Sequence, residues 1–439
     1  PTLDPGAIPR IEEVAVDGRV VLFTAVLALL TTLLFGLAPA LRGGSRARAT
    51  HLRSHGGSGA GPGSGRLRRS LVVAEAALAV VVVVAAGLVG RSLWELGRVD
   101  PGVRTDGLLT FELTLPDARY PADADAVAFY DELLDRIEGL PGVVAAAAAT
   151  ALPVADDPSR NDFLVEGAPT PDPGVPAYNA GVVIVRPGWF ETMGIPVLKG
   201  RSLRPADGPD GPFVAVVNSA TAERYWPGGD PLSLRVGYDF GGNQGRPWLS
   251  LVGVVGDTKV AGLEGGARPQ IYLPLAQAAA AWGGAPRSMR IAARTELDPR
   301  GLAPAVRATV HEMDPTLAVA GLRTMEDVLS AAVAGPRFAA TLLSSFGLIA
   351  LLLAVLGIYG VVSYNVSKRT REIGLRMALG ADRGAVSRMV VREGATPAIL
   401  GLGLGLAGAA LASRLLPPGL LFEVSPTDPG VLAAIAVLL

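Results

Sequence analysis

The chain has 439 residues, of which 50% are hydrophobic and 18% charged, with a mean hydropathy of +0.39 and a formal net charge of -1. This is too apolar for an ordinary soluble protein and too mixed for a bundle of spans alone, so it reads as membrane spans plus a folded domain. Cysteine is absent, which excludes a disulfide framework and a thiolate metal site.

The first candidate span runs from Val20 to Leu41, free of charge and close to the ~20 residues that a bilayer requires. Arg42, Arg46, Arg48, Arg53, Arg66, Arg68 and Arg69 follow with no acid between them, in a Gly/Ser-rich stretch that includes GGSGAGPGSG. Such a composition cannot bury a core, and residues 42–70 read as a flexible cytoplasmic linker. A nucleic-acid-binding arm would interleave aromatic residues for base stacking, and none is present, so no nucleic-acid partner is expected. Leu71 to Leu93 is the second span, with β-branched Val80 to Val84 at its centre and Glu75 about one turn from its cytoplasmic end, placed to reach the interface or a neighbouring helix.

From there to Pro336 no window is apolar enough to span, and residues 94–336 read as a folded domain across the membrane from the linker. Leu108 to Leu115 reads as a strand, Ala122 to Glu138 as a helix with Phe129, Tyr130, Leu133, Leu134 and Ile137 inward, and Val143 to Leu152 as a returning strand. Met289 to Arg294, Leu302 to Met313 and Leu317 to Leu322 repeat the strand, helix, strand order, which predicts an α+β domain with split βαβ elements. Short strands at Val182 to Val185, Phe213 to Val217 and Leu251 to Val255, a helical turn at Trp189 to Met193 and a helix at Ser219 to Tyr225 suggest a second subdomain.

Phe338 to Val362 is the third span, carrying Gly347, Gly357 and Gly360. The basic segment Ser367 to Glu393 follows. Its residues from Lys368 to Gly380 favour helix, and Glu372 lies four positions before Arg376, the orientation in which an ion pair supports one. Ile373, Met377 and Gly380 fall on one face and Leu375 and Leu379 on another, so this short helix is apolar on two sides and calls for a protein surface. A solvated basic loop that satisfies the positive-inside rule is the plainer reading of the same residues. Asp382 is placed to cap a second helix in which Val386, Met389 and Val390 recur at helical spacing. Pro397 to Leu416 is the fourth span, where Gly401, Gly405 and Ala409 form a small-xxx-small row that would let helices approach closely in lipid. A last apolar run, Val431 to Leu439, reads as a truncated span. The arginine-rich segments after the first and third spans are expected in the cytoplasm, which places the region between the second and third spans outside. Glu13-Val14 and the apolar helix after it are similar to Glu423-Val424 and VLAAIAVLL, as if the chain were a fragment that begins near the last span of one repeat and ends in that of another.

The chemistry-bearing motifs are missing. No G-x-x-x-x-G-K-[ST] occurs, and GPGSGRL lacks both the lysine and the preceding strand. His51 and His55 lie in the linker and His311 on a surface helix, without a ligand pair for a metal, while Asp156, Asp157 and Asp162 lack an EF-hand pattern and read as a solvated acidic turn. No Ser/His/Asp arrangement is evident. The expectation is a protein that is not an enzyme and carries no cofactor or metal.

TREIGLRMALGA (Thr370 to Ala381), after a span that ends in GIYGVVSYNVSKR (Gly357 to Arg369), resembles the cytoplasmic signature of FtsX/MacB-type permeases, the membrane subunits of mechanotransmission ABC systems. RPGWFETMGIPVLKGR (Arg186 to Arg201), VAVVNSATAERYWPGGDPLSLRV (Val214 to Val236), LVGVVGDTKVAGLEGGARPQIYLPLAQ (Leu251 to Gln277) and the entry from Arg69 to Gly102 resemble the duplicated, ADOP-type form. The resemblance implies an α-helical transmembrane bundle plus a large α+β extracytoplasmic domain of the MacB-like periplasmic core type, in a bacterial inner membrane. Residues 1–41 would end a preceding FtsX-like repeat, with 42–70 as linker, 71–93 as a span, 94–336 as the periplasmic core domain and 337–439 as the FtsX-like permease domain. It also implies that Glu372, Ile373, Gly374, Arg376, Met377, Leu379 and Gly380 dock on a separate MacB-like cytoplasmic ATPase subunit, and that the second and third spans convey its motion to the outer domain for export or extraction of a substrate. The other partners expected are the lipid bilayer and a periplasmic protein. An FtsX-like regulator of an extracytoplasmic enzyme and a membrane-anchored sensor or adhesin are the alternatives.

Overall fold

The computed structural model describes residues 18–32, 62–167, 178–238, 247–380, 382–412, 422, 424–425 and 428–438. The end of the first expected span, residues 42–61 of the expected linker with His51 and His55, the repeat pair Glu13-Val14, Ala381, residues 413–416 of the fourth expected span and Leu439 lie outside the described residues. The chain divides into two compact units, Ser92–Ala334 and, separately, Pro1–Arg91 with Gly335–Leu439.

The chain enters through α1 (Gly18–Thr32) and α2 (Pro62–Leu96). Helix α2 holds five consecutive valines at its centre, an unfavourable run for a helix in water. In hydrocarbon the preference reverses, because only the helix bonds every backbone group within the segment.

The unit Ser92–Ala334 follows, with β1 (Leu108–Thr114), α3 (Asp123–Glu138), β2 (Val143–Ala149), β3 (Arg160–Val165), β4 (Tyr178–Val185), α4 (Trp189–Met193), β5 (Val197–Gly200), β6 (Val214–Asn218), α5 (Ser219–Tyr225), β7 (Arg235–Gly237), β8 (Leu249–Val255), β9 (Gln270–Pro274), α6 (Ala278–Trp282), β10 (Ser288–Thr295), α7 (Pro299–Met313), β11 (Ala320–Thr324) and α8 (Met325–Ala332). Strands β11, β1, β10 and β2 lie side by side, all antiparallel, which is the order of a split βαβ pair. Helix α3 buries Ala126, Phe129, Tyr130, Leu133, Leu134 and Ile137, one apolar stripe at helical spacing. Tyr130, at 0% exposure, directs its hydroxyl to the carbonyls of Leu113 (2.9 Å) and Arg287 (2.8 Å), so a polar group fits the core without an orphaned atom.

The middle strands form a circuit: β4 pairs with β3, β3 with β7, β7 with β8, β8 with β6, β6 with β9, and β9 returns to β4. The expected second subdomain is therefore a closed ring of strands, which leaves no long unpaired edge. Strand β5 pairs β8 from outside the ring. The two parts join in one sheet between β2 and β4 by a single register pair, Ala149 with Val185, flanked by bonds from Thr150 N–H to Ile184 and from Arg186 N–H to Ala148.

Three sequence readings are corrected here. Residues 62–70 of the expected flexible linker are instead the first turns of α2, because Arg66, Arg68 and Arg69 are good helix formers joined to a helix that already exists, and propagation costs little. The last strand starts at Ala320, not at Leu317, because Asp314 accepts from the N–H (2.9 Å) and hydroxyl (2.7 Å) of Thr316 and holds residues 314–317 in a turn. Asp162 belongs to β3 and accepts from Asn179 (2.7 Å) instead of sharing a loop with Asp156 and Asp157, which are engaged by Arg290 (2.9 Å) and Arg268 (3.0 Å).

The remaining helices are α9 (Ala334–Lys368), α10 (Thr370–Ala378), α11 (Arg383–Ala412) and α12 (Pro429–Leu438). Helices α9 and α11 extend well beyond the expected spans. At 35 residues α9 is ~50 Å long, against ~30 Å of hydrocarbon. Three helical stretches among the described residues, Arg69–Leu96, Ala334–Lys368 and Arg383–Ala412, are long and apolar enough to cross a membrane.

Candidate functional site

The basic segment between α9 and α11 is not one helix from Lys368 to Gly380, as its residues suggest, but a break and a short helix. Arg369 leaves helical geometry (φ -102, ψ 11), and its N–H still reaches Asn365 (3.2 Å) and Val366 (3.0 Å). The hydroxyl of Thr370 donates to the same end, to Ser367 at 3.0 Å and Val366 at 3.2 Å, taking up carbonyls that a finished helix leaves bare. At the other end of α10, Gly380 takes φ +94, the left-handed turn that a side chain would resist. Gly380 therefore reverses the chain rather than extending the Ile373 and Met377 face. Across the turn, the carbonyl of Asp382 accepts from Ala385 (3.0 Å) and Val386 (3.3 Å), placing Asp382 at the start of α11.

No residue of α10 is buried. Leu375 is 66%, Met377 46% and Leu379 80% exposed, Ile373 is half-buried, and Glu372, Gly374 and Arg376 are open. The expected ion pair between Glu372 and Arg376 does not form. Arg376 instead points its Nη1 at the Sδ of Met389 on α11, 3.6 Å away, and Glu372 sits in the first turn of α10, where the helix dipole favours an acid. The expected surface thus comes together as a nine-residue helix with apolar side chains on both flanks and basic residues around them.

The glycine row lies apart from this helix, within the apolar spans. A Cβ on Gly401 would fall 2.5 Å from the Cβ of Ala76, and one on Gly405 would fall 2.5 Å from the Cβ of Val80 and 2.7 Å from the carbonyl of Ala77. Ala409 packs with Val80, Val84 and Leu88. The row thus faces α2. Gly403, on another side of α11, has nothing within 4 Å.

Helix α2 also meets α9 and α12, which the sequence reading did not foresee. Gly347 of α9 faces Val83 (3.5 Å from a built Cβ), and Gly357 faces Glu75, whose Oε2 would be 2.5 Å away. Gly87 faces Val431 of α12 at 3.0 Å, and Arg91 pairs with Asp428 at 2.5 Å. Glu75 thus lies over bare backbone on a neighbouring helix. Glycines in both α2 and its neighbours were the available signal, but composition cannot tell which helix each one faces.

The family model for the MacB-like periplasmic core domain matches residues 71–311, and that for the FtsX-like permease C-terminal region matches residues 344–439. The chain belongs to the MacB/FtsX family of ABC transporter permeases. This permease is 22% identical over 343 residues to the uncharacterized ABC transporter permease YknZ of Bacillus subtilis, an alignment that covers 76% of the chain and 80% of YknZ. It is 26% identical to the macrolide export ATP-binding/permease protein MacB of Hahella chejuensis, over 52% of the chain but only 34% of that protein. A 71-residue match to the pyoverdine export ATP-binding/permease protein PvdT of Pseudomonas aeruginosa is 42% identical, covering 16% of the permease and 10% of PvdT. Among solved structures, the periplasmic region of MacB from Actinobacillus actinomycetemcomitans aligns with 52% of the permease and 92% of its own length at 12% identity and a TM-score of 0.35. The extracellular domain of the noncanonic ABC-type transporter YknZ from Gram-positive bacteria aligns with 48% and 98% at 14% identity and a TM-score of 0.32. The permease thus combines an α+β periplasmic core domain with apolar helices suited to a membrane.

Proposed function

We propose that this permease is the membrane subunit of a mechanotransmission-type ABC system of the bacterial inner membrane. A separate MacB-like ATPase docks on α10 from the cytoplasm. The helices that flank the outer domain in the chain, α2 and α9, carry its opening and closing to that domain, which exports or extracts a substrate on the far side. The reading is carried by one observation: α10 and Leu379 at its C-cap present Leu375, Met377 and Leu379 on two flanks with none of them buried, an apolar surface too small to insert and left open in water. The glycine contacts of α2 with α9 and α11 support the second half, since bare backbone lets helices lie close enough to move as one body.

The test is co-purification of the full-length permease with a MacB-like ATPase subunit, comparing wild type with Met377→Asp. A carboxylate forced into the docked interface without a partner should weaken binding by about 3 kcal/mol, over a hundred-fold, while leaving insertion intact. Equal capture of both forms removes α10 from the interface. If wild type captures no ATPase at all, while an extracytoplasmic hydrolase is bound to the outer domain, the permease is a regulator and not a transporter.

A further inference from the structure

A cavity of about 490 Å³ opens between the start of the apolar stretch of α2 and the first turns of α11. Its lining changes along the helices: Arg69, Arg388 and Arg392 come first in α2 and α11, and Val73, Pro397 and Leu400 come one to three turns further on, with Met389 and Thr396 between or beside them. Arg388 and Arg392 are one turn apart on α11, and Arg69 is the first residue of the apolar stretch of α2. Three guanidinium groups therefore share one concavity, and among the described residues none of them pairs with a carboxylate. Other arginines are held in different ways: Arg294 donates to backbone carbonyls and Arg376 to Met389, while some are matched with acids. Arg186 is shared among Asp131, Asp135 and Glu138, and Arg290 between Glu112 and Asp156. Like charges gathered without a counter-charge repel one another, and an anion relieves that repulsion.

The position selects the anion. The cationic end lies where the spans begin, at headgroup level, and the apolar end leads along α11 past Leu400 (54% exposed), Leu404 (60%) and Leu411 (64%), a track open to hydrocarbon. A soluble phosphate would use the arginines and leave this track bare. A phospholipid uses both, since guanidinium forks match phosphate oxygens in pairs and the acyl chain covers the leucines.

We propose that this cavity binds the headgroup phosphate of an anionic phospholipid. The leaflet, cytoplasmic, rests on the orientation given under Proposed function; the lipid chemistry does not.

The experiment uses the full-length permease in detergent, without an ATPase, and counts retained lipid by native mass spectrometry after addition of phosphatidylglycerol or phosphatidylcholine. Wild type should retain phosphatidylglycerol in preference, and Arg388→Gln with Arg392→Gln should weaken that retention about thirty-fold, the effect of two charges near a lipid surface. Arg388→Gln alone should weaken it about five-fold, which keeps the test alive should the double variant fail to fold. Arg383→Gln removes a charge from the same helix without lining the cavity and should change nothing. Equal retention of the two lipids, full retention by the glutamine variants, an equal loss in Arg383→Gln, or displacement of the lipid by inorganic phosphate overturns the proposal. These 439 residues hold no cysteine, so Arg383→Cys gives a single label site within them, read against the same protein without the substitution. Reaction with an impermeant maleimide in intact cells would overturn the orientation and leave a lipid site in the opposite leaflet.

Discussion

Replacing Gly405 with alanine adds one methyl group where there is no room for it. The new Cβ would lie 2.5 Å from the Cβ of Val80 and 2.7 Å from the carbonyl of Ala77, against ~3.5–4.0 Å for relaxed carbon contacts. The nearest obstacles are a backbone carbonyl and a Cβ, neither of which can turn away by a rotamer change, so α11 must shift from α2 by about 1 Å. Such overpacking costs ~1–3 kcal/mol. Alanine is also the better helix former by ~1 kcal/mol, which partly hides the cost. Gly403→Ala carries the same propensity gain with nothing within 4 Å of its Cβ, so the difference between the two variants isolates the steric part. The assay is the unfolding midpoint of the full-length permease titrated with SDS in mixed micelles. Gly405→Ala is expected to be less stable than Gly403→Ala by ~1–3 kcal/mol. Two variants of equal stability would refute the contact between the glycine row and α2.

Two further outcomes concern the outer unit. At Gly102, φ is +75 and a Cβ would sit 1.9 Å from the carbonyl of Asp257, so Gly102→Ala combines backbone strain with a clash and should cost at least ~2 kcal/mol in urea unfolding; a neutral result would mean that this turn is wrongly placed. Asp207 receives both guanidinium arms of Arg201 (2.7 and 2.8 Å) and the N–H of Arg204 (2.8 Å). Burial alone would raise its carboxyl, but Arg201 and the Arg204 backbone outweigh burial and hold it below the usual carboxylate range. Because the folded carboxyl ionises at lower pH than the unfolded one, its contribution is fully present above the unfolded value, about pH 4, and fades as acid carries the pH through the folded value. Asp207→Asn should therefore be less stable at neutral pH and lose less stability on acidification than wild type; parallel stability curves across that range would contradict the assignment.

The outer unit was legible where its pattern was long and amphipathic. Phe129 to Ile137 recur at helical spacing and are buried as a stripe, and the strand, helix, strand order around β1 and β10 predicts the antiparallel arrangement of the split βαβ pair. Strands β3, β5, β7 and β9 were not foreseen, because short strands with little alternation take their structure from neighbours: Arg235 to Gly237 is a strand only because β3 and β8 flank it. At the candidate site, the two apolar flanks of α10 follow from spacing alone. The partner of Arg376 does not, since Met389 is brought near by the turn at Gly380 and an acid four residues away loses to it. Glu75 was recognised as an acid within a span, but its seat over Gly357 depends on how α2 and α9 cross.

The join between β2 and β4 is where the backbone ladder of the outer sheet is narrowest. On either side of it strands are held by ladders, seven register pairs between β1 and β10 and five between β4 and β9, whereas the join has one. What spans it is mostly side chains: one core runs under both parts, Arg186 just past β4 is shared among Asp131, Asp135 and Glu138 of α3, and Arg294 of β10 donates to the carbonyl of Thr192. The four-strand sheet and the strand ring are therefore fastened to each other through their side chains more than through their backbones.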